Sequence, residues 1–304
     1  MKRTFYLFIL SLLIMVSHGQ EIKVSSGSIK SFPAFKSAFV DARNIDVWLP
    51  EGYSPSKKYA VLYMHDGQML FDSTYNWNHL EWKVDETAGK LIQENKIRNC
   101  IIVGIWNNGK YRHSEYFPQK VFITIPDNAR NRLLEKQVSK KPQADNYLKF
   151  IVKELKPFID SAFSTYKDVK NTFIMGSSMG GLISIYALCE YPKVFGGAAC
   201  LSIHSPMAMP ENQDENNDTE VASKLRDYLK LNLPNANTRK IYFDYGDKTL
   251  DSIYKPYQEK IDRVMKEKGY NSKWWITKYF PGENHSEKAW AKRLDIPLIF
   301  LLKP

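Results

Sequence analysis

Residues 173–181, FIMGSSMGG, carry a short apolar run into two adjacent serines set among glycines. Within the stretch, Gly176, Ser177, Ser178, Met179 and Gly180 spell Gly-x-Ser-x-Gly with Ser178 at the centre. The pattern carries chemistry where a strand turns sharply into a helix. Small flanking residues then avoid a clash, the central residue takes a strained conformation, and its hydroxyl stands above a sheet. Both flanks meet that requirement: NTFIMG (171–176) has the make-up of a strand, and GGLISIYALCEY (180–191) that of an apolar helix. Ser178 is thereby the candidate nucleophile, and Ser177 is a small spacer.

Outward from this turn the chain alternates. The segment 38–68 reads as strand, turn, strand, with YAVLYM (59–64) long and apolar enough for a buried strand. A helix is expected around 79–95 and a second buried strand over 99–106. Residues 107–146 are polar, basic and without clear period, which predicts an excursion over the surface. Leu148, Ile151, Val152, Leu155, Phe158 and Ile159 lie at helical spacing across 146–163. Beyond the serine turn, strands are expected at 195–203, 240–246 and 273–280. A polar loop is expected at 210–220, and helices at 254–269 and at the C-terminal end. Such alternation predicts an α/β fold with a mostly parallel central sheet and helices on both faces. With no convincing linker, residues 20–304 are expected to form a single domain.

A serine hydroxyl needs a base, and in this architecture the partners follow in the order serine, acid, histidine. Only His204 and His285 lie downstream of Ser178. His285, in the polar loop FPGENHSEKAW, suits an exposed base. His204 precedes every good acid and is expected to line the pocket. Asp244, Asp247 and Asp251 are the candidate acids after the strand KIYFDYG, and Asp251 is favoured with Asp247 next. The acid would orient the imidazole and stabilise its cation without taking the proton. An oxyanion hole needs one N–H from the residue after the serine, Met179, and one from the loop after an earlier strand. In HDGQMLFD (65–72), Gly67 permits close approach of the backbone, and Gln68 or its neighbour is assigned the second donor.

Composition narrows the classes. The formal charge is +10, yet Lys and Arg are scattered with no run of five, so nucleic acid is not an expected partner. Cys100, Cys189 and Cys200 occupy apolar settings and read as buried free thiols. With neither Cys-x-x-Cys nor a His/Cys cluster, no metal site and no cofactor are expected. Lys2 and Arg3, the apolar FYLFILSLLIMV and the small or polar SHGQ follow the order of a secretory signal peptide over residues 1–19. The apolar stretch is short for a membrane span, which predicts a periplasmic or secreted protein with no stable membrane insertion after signal removal.

Taken together, VWLPEGY, LYMHDGQMLFD, VGIWNNGKYRHSEYFP, YLKFIVKELKPFID, IMGSSMGGLISIYAL, YFDYGDKTLD and NHSEKAWAKRL resemble the esterase family of α/β-hydrolases. That family includes esterase D, the feruloyl and acetylxylan esterases of carbohydrate esterase family 1, and siderophore esterases of the enterochelin type. The resemblance spans about residues 46–300 and is most specific at HDGQMLFD and at Arg112, Glu115, Tyr116 and Pro118. It implies the α/β-hydrolase fold, a Ser178–Asp251–His285 triad, and Arg112 and Glu115 buttressing the site. Many relatives carry the acid about three residues after the strand-end glycine; Thr249 occupies that position here. The implied function is a secreted serine carboxylesterase acting on acetyl or feruloyl groups of polysaccharide. Siderophore hydrolysis, acyl transfer on the same fold and a non-catalytic carbohydrate-binding relative are the competing readings.

Overall fold

The buried strands read from the sequence become the middle of one eight-stranded sheet, seen in a computed structural model that describes residues 22–76, 78–136, 141–208 and 220–304. The strands are β1 (Ser28–Phe35), β2 (Arg43–Leu49), β3 (Ala60–His65), β4 (Cys100–Ile105), β5 (Thr172–Ser177), β6 (Gly197–Leu201), β7 (Lys240–Tyr245) and β8 (Trp275–Tyr279). Their spatial order is β1-β2-β4-β3-β5-β6-β7-β8. β1 and β2 run antiparallel to their neighbours, and every pairing from β4 to β8 is parallel. Every residue of β3, β4, β5 and β6 is buried, which is why these strands read as continuous apolar runs rather than alternating ones.

The helices are α1 (Val84–Gln93), α2 (Arg112–Tyr116), α3 (Gln119–Phe122), α4 (Asp127–Lys136), α5 (Ala144–Phe150), α6 (Lys156–Ala162), α7 (Met179–Glu190), α8 (Glu220–Asn232), α9 (Lys255–Glu267), α10 (Glu287–Ala291) and α11 (Asp295–Leu302). Alternate strand residues feed two cores. Val61, Tyr63 and Ile174 pack in the cluster that holds Leu148, Leu182, Leu225 and Ile261 of α5, α7, α8 and α9. Leu62, Met64, Phe173 and Met175 pack with Val84 and Leu91 of α1 and Leu298 and Leu301 of α11. Removing one such side chain, as in Leu182→Ala, costs roughly 2–5 kcal/mol.

Three features depart from the sequence reading. The excursion expected over 107–146 is instead folded into the core: Tyr116, Phe117, Val121, Phe122, Ile125 and Leu133 are buried along α2, α3 and α4. These helices are too short, and too broken by Pro118 and Pro126, to show a period. The expected helix 146–163 widens into a π turn at Ile151–Leu155 between α5 and α6, which buries both of those residues. β1 escaped the reading because it is an edge strand with no fully buried residue, so its sequence carries no apolar alternation. The three cysteines are buried and free. Among the described residues, no helix is long and apolar enough to cross a membrane. The signal peptide read at 1–19 and all of the polar loop at 210–220 except Glu220 lie outside the described residues.

Candidate active site

The candidate residues gather at the C-terminal ends of the parallel strands, where open α/β sheets bind ligands. Four non-glycine residues with positive φ mark that edge: Asp66 after β3, Ser178 after β5, Ser202 after β6 and Thr249 in the loop after β7. Ser178 has φ 55° and ψ −121°. Its N–H donates to the Leu201 carbonyl at 2.9 Å, and its own carbonyl accepts from the His204 N–H at 3.2 Å. A Cβ on Gly176 would lie 2.7 Å from the Gly180 backbone, and one on Gly181 would lie 3.2 Å from Cys200 Cα. The glycines are therefore needed for the turn to close. Ser178 is half-buried, whereas Ser177 is enclosed within β5.

His285 stands in the loop after β8, with Nδ1 2.6 Å from Asp251 Oδ1. Asp251 is fully buried in a 3-10 turn over Thr249–Ile253. Its Oδ2 accepts from the Gly246 N–H at 2.6 Å and from the Ser202 hydroxyl at 2.7 Å. The His285 N–H donates to Thr249 Oγ1 at 2.9 Å, so the position taken by the acid in many relatives here anchors the histidine backbone. The ring meets Trp290 and Tyr254 edge-on, with centroids at 5.0 and 5.7 Å. The other acids have different partners. Asp244 is buried against Arg293, 2.9 Å away. Asp247 accepts from Tyr279 Oη at 2.7 Å and from the Gly282 N–H at 2.9 Å.

His204 is buried beside the serine turn, and its Nδ1 lies 2.9 Å from Tyr254 Oη. The Tyr254 hydroxyl also interacts with the Ser178 side chain. Burial lowers the His204 pKa to about 3, with His285, His113 and Arg112 adding to the effect, so its imidazole is neutral at ordinary pH. Sequence reasoning missed Tyr254. It lies one helical turn after Asp251, but nothing local shows that its hydroxyl returns to the serine.

Asp66 opens the loop after β3 in left-handed conformation, ahead of a 3-10 turn at Gly67–Met69. Arg112 grips its carboxylate with two bonds, Nε to Oδ1 at 2.7 Å and Nη2 to Oδ2 at 2.8 Å, and Asn107 Nδ2 adds a third at 2.7 Å. Burial would raise the Asp66 carboxyl, but the Arg112 charge and these bonds hold it below the usual range. A Cβ on Gly67 would strike the Gly104 backbone at 2.6 Å, while one on Gly180 would sit 3.4 Å from Asp66 Oδ2. The loop is thus packed against the start of α7. Gln68 and Met179 lie in first turns, where N–H groups have no intrahelical acceptor.

Glu115 does not pair with Arg112. It forms a buried two-bond ion pair with Arg43, at 2.6 and 2.8 Å, and is too enclosed to meet a ligand. Arg43 lies over Tyr147, whose hydroxyl is 2.8 Å from His65 Nδ1, so Glu115 supports the loop from behind. Burial also lowers the His65 pKa to about 3. Among the described residues, no three His, Cys, Asp or Glu side chains are grouped to hold a metal ion.

A strained serine at a strand–helix turn and a histidine tied to a buried aspartate, on this sheet topology, define an esterase-type α/β-hydrolase. The profile of the esterase family, "Putative esterase", matches residues 37–301, and the chain belongs to that family of carboxylic ester hydrolases. The uncharacterized protein YjcH of Bacillus subtilis is 26% identical over 172 residues, 56% of this chain and 60% of its own length. An endo-1,4-beta-xylanase/feruloyl esterase of Xylanibacter ruminicola is 25% identical over 191 residues, 59% of this chain and 22% of its own. The chain thus spans less than two thirds of the first of these relatives and under a quarter of the second. Among solved structures, a ferulic acid esterase from Anaeromyces mucronatus with ferulic acid has a TM-score of 0.63 at 18% identity, covering 93% of each chain. The enterochelin esterase of Shigella flexneri has a TM-score of 0.62 at 16% identity, covering 93% of this chain and 60% of that one.

Proposed function

We propose that this protein is an exported serine esterase that removes acetyl or feruloyl groups from polysaccharide through an acyl-enzyme on Ser178. The observation that carries the chemistry is the 2.6 Å contact between His285 Nδ1 and buried Asp251, on the same sheet edge as the strained Ser178. With Nδ1–H committed to Asp251, Nε2 is the basic nitrogen. His285 takes the Ser178 proton as Oγ attacks the ester carbon, and the carbonyl π pair moves onto oxygen. The N–H groups of Met179 and Gln68 hold that oxyanion. Collapse expels the alcohol oxygen, which receives the proton from His285. Water, deprotonated by His285, then attacks the acyl-enzyme and releases the acid and Ser178. Asp251 keeps its charge throughout and stabilises the imidazolium.

The substrate class is supported by the export signal read at 1–19 and by the likeness to the X. ruminicola and A. mucronatus proteins. The likeness to the S. flexneri enzyme supports siderophore hydrolysis as the second reading. Assay with p-nitrophenyl acetate tests the chemistry. Ser178→Ala is expected to lower kcat by at least about 10⁴-fold and to abolish fluorophosphonate labelling. Hydrolysis unchanged in that variant would refute the mechanism. Acetylated xylan, methyl ferulate and a tricatecholate siderophore, assayed side by side, test the substrate. Turnover of the siderophore alone would overturn the polysaccharide assignment, and a new ester formed with an added alcohol would indicate acyl transfer. Recovery from periplasm or medium with Gln20 as first residue is the outcome expected for export.

A further inference from the structure

Behind Asp251 lies a hydrogen-bond set that the triad itself does not require. Ser202 is fully buried at the end of β6, with φ 40°. Its Oγ accepts from Trp290 Nε1 at 2.9 Å and from Arg293 Nη2 at 3.0 Å. Both partners are donors only, and a hydroxyl has two lone pairs and one proton. With both lone pairs taken, the proton has one acceptor left, Asp251 Oδ2 at 2.7 Å. The same oxygen receives the Gly246 N–H.

Resting on the serine-esterase reading, we infer that Ser202 is a positioning residue whose hydroxyl, aimed by Trp290 and Arg293, fixes the orientation and charge of Asp251. With Oδ2 saturated by two donors, Asp251 turns Oδ1 to His285 and can only accept there. His285 must therefore donate from Nδ1, which leaves Nε2 unprotonated and able to take a proton from serine. The network is also matched in charge. Arg293 forms its ion pair with Asp244, and the Ser202 N–H donates to that carboxylate at 3.0 Å. The groups facing the His285–Asp251 pair are thus the Ser202 hydroxyl, Trp290, the Tyr254 phenol, neutral His204 and, one bond further back, the Arg293–Asp244 pair. Trp290 serves twice, donating to Ser202 and meeting the His285 ring edge-on.

Ser202→Ala in the full chain tests the assignment, with kcat and KM for p-nitrophenyl acetate measured across pH. The expected result is a kcat lowered about 10–100-fold, as for other residues that orient a catalytic ligand, with KM unchanged. The acid limb of the pH profile should also move to higher pH. Asp251, with one donor fewer, offers more of its charge to the imidazolium, and a raised histidine pKa shifts the limb upward. A folded variant with unaltered kcat and limb would overturn the role. If the alanine variant fails to fold, Trp290→Phe decides. Freeing one lone pair lets the hydroxyl turn, so kcat should fall several-fold, and no change would again refute it. The downfield proton resonance of His285 Nδ1–H gives a readout apart from activity, expected to move further downfield in Ser202→Ala as Asp251 becomes the stronger acceptor. A wild-type protein that neither hydrolyses the ester nor takes the fluorophosphonate would sink the esterase reading, while that resonance would still report on Ser202.

Discussion

Tyr254 shows how much of the chemistry rests on single atoms. Its hydroxyl lies 2.9 Å from His204 Nδ1 beside the serine turn, so Tyr254→Phe should leave the ring packing against His285 while leaving His204 Nδ1 without its partner. A fall in kcat of about 3–10-fold, with a stability cost of about 1–3 kcal/mol, is expected from leaving one buried hydrogen-bond partner unsatisfied, read by steady-state kinetics beside thermal melting. His204 makes a complementary case. Burial penalises its cation, so it gains a proton only below about pH 3 and stays neutral through the working range. His204→Gln should therefore change the rate while leaving the midpoint of the acid limb in place. A moved midpoint would show that His204 titrates with His285.

Among the elements, the serine turn was the part most open to reading because its needs are local. Gly176 and Gly181 answer to backbone a few ångströms away, and the strand and helix they join are each strongly apolar. Gly176→Ala would press a methyl to 2.7 Å from the Gly180 backbone, which cannot rotate aside. A cost of about 1–3 kcal/mol is expected, with Tm lowered by several degrees. The meeting of His285 with the favoured acid was legible from chain order. Ser202, Trp290 and Arg293 were not, because their meeting depends on how β6 and the C-terminal helices pack. The cap formed by α2, α3 and α4 was hidden for another reason: its buried aromatics are spread over turns too short to repeat.

At the scale of the whole molecule, the N-terminal segment is strapped across the sheet's antiparallel end. Asp85 Oδ2 accepts from the Ser25 and Ser26 N–H groups at 2.6 and 3.2 Å, and Trp48 Nε1 donates to the Ser26 carbonyl at 2.7 Å. Burial, with Glu86 beside it, pushes the Asp85 carboxyl up to about 7. The folded chain then holds a proton that the unfolded chain releases near pH 4, so this group's stabilisation is full below pH 4 and lost as pH rises through about 7. Asp85→Asn keeps an acceptor for the strap and should flatten the dependence of Tm on pH between about 4.5 and 7.5. An unaltered slope would contradict the assignment.

The same edge of the sheet has a consequence for anyone seeking a hardier protein. Asp66, Ser178, Ser202 and Thr249 hold backbone angles that glycine adopts at far lower cost. At Asp66 and Ser202 glycine would leave half-buried Arg112 or buried Arg293 short of a partner. A screen that rewards heat resistance alone would therefore be drawn to glycine at half-buried Ser178 and exposed Thr249. Each such gain would delete the Ser178 hydroxyl or the Thr249 oxygen that tethers His285. In this protein, the cheapest routes to durability and the loss of the proposed reaction coincide at those two positions.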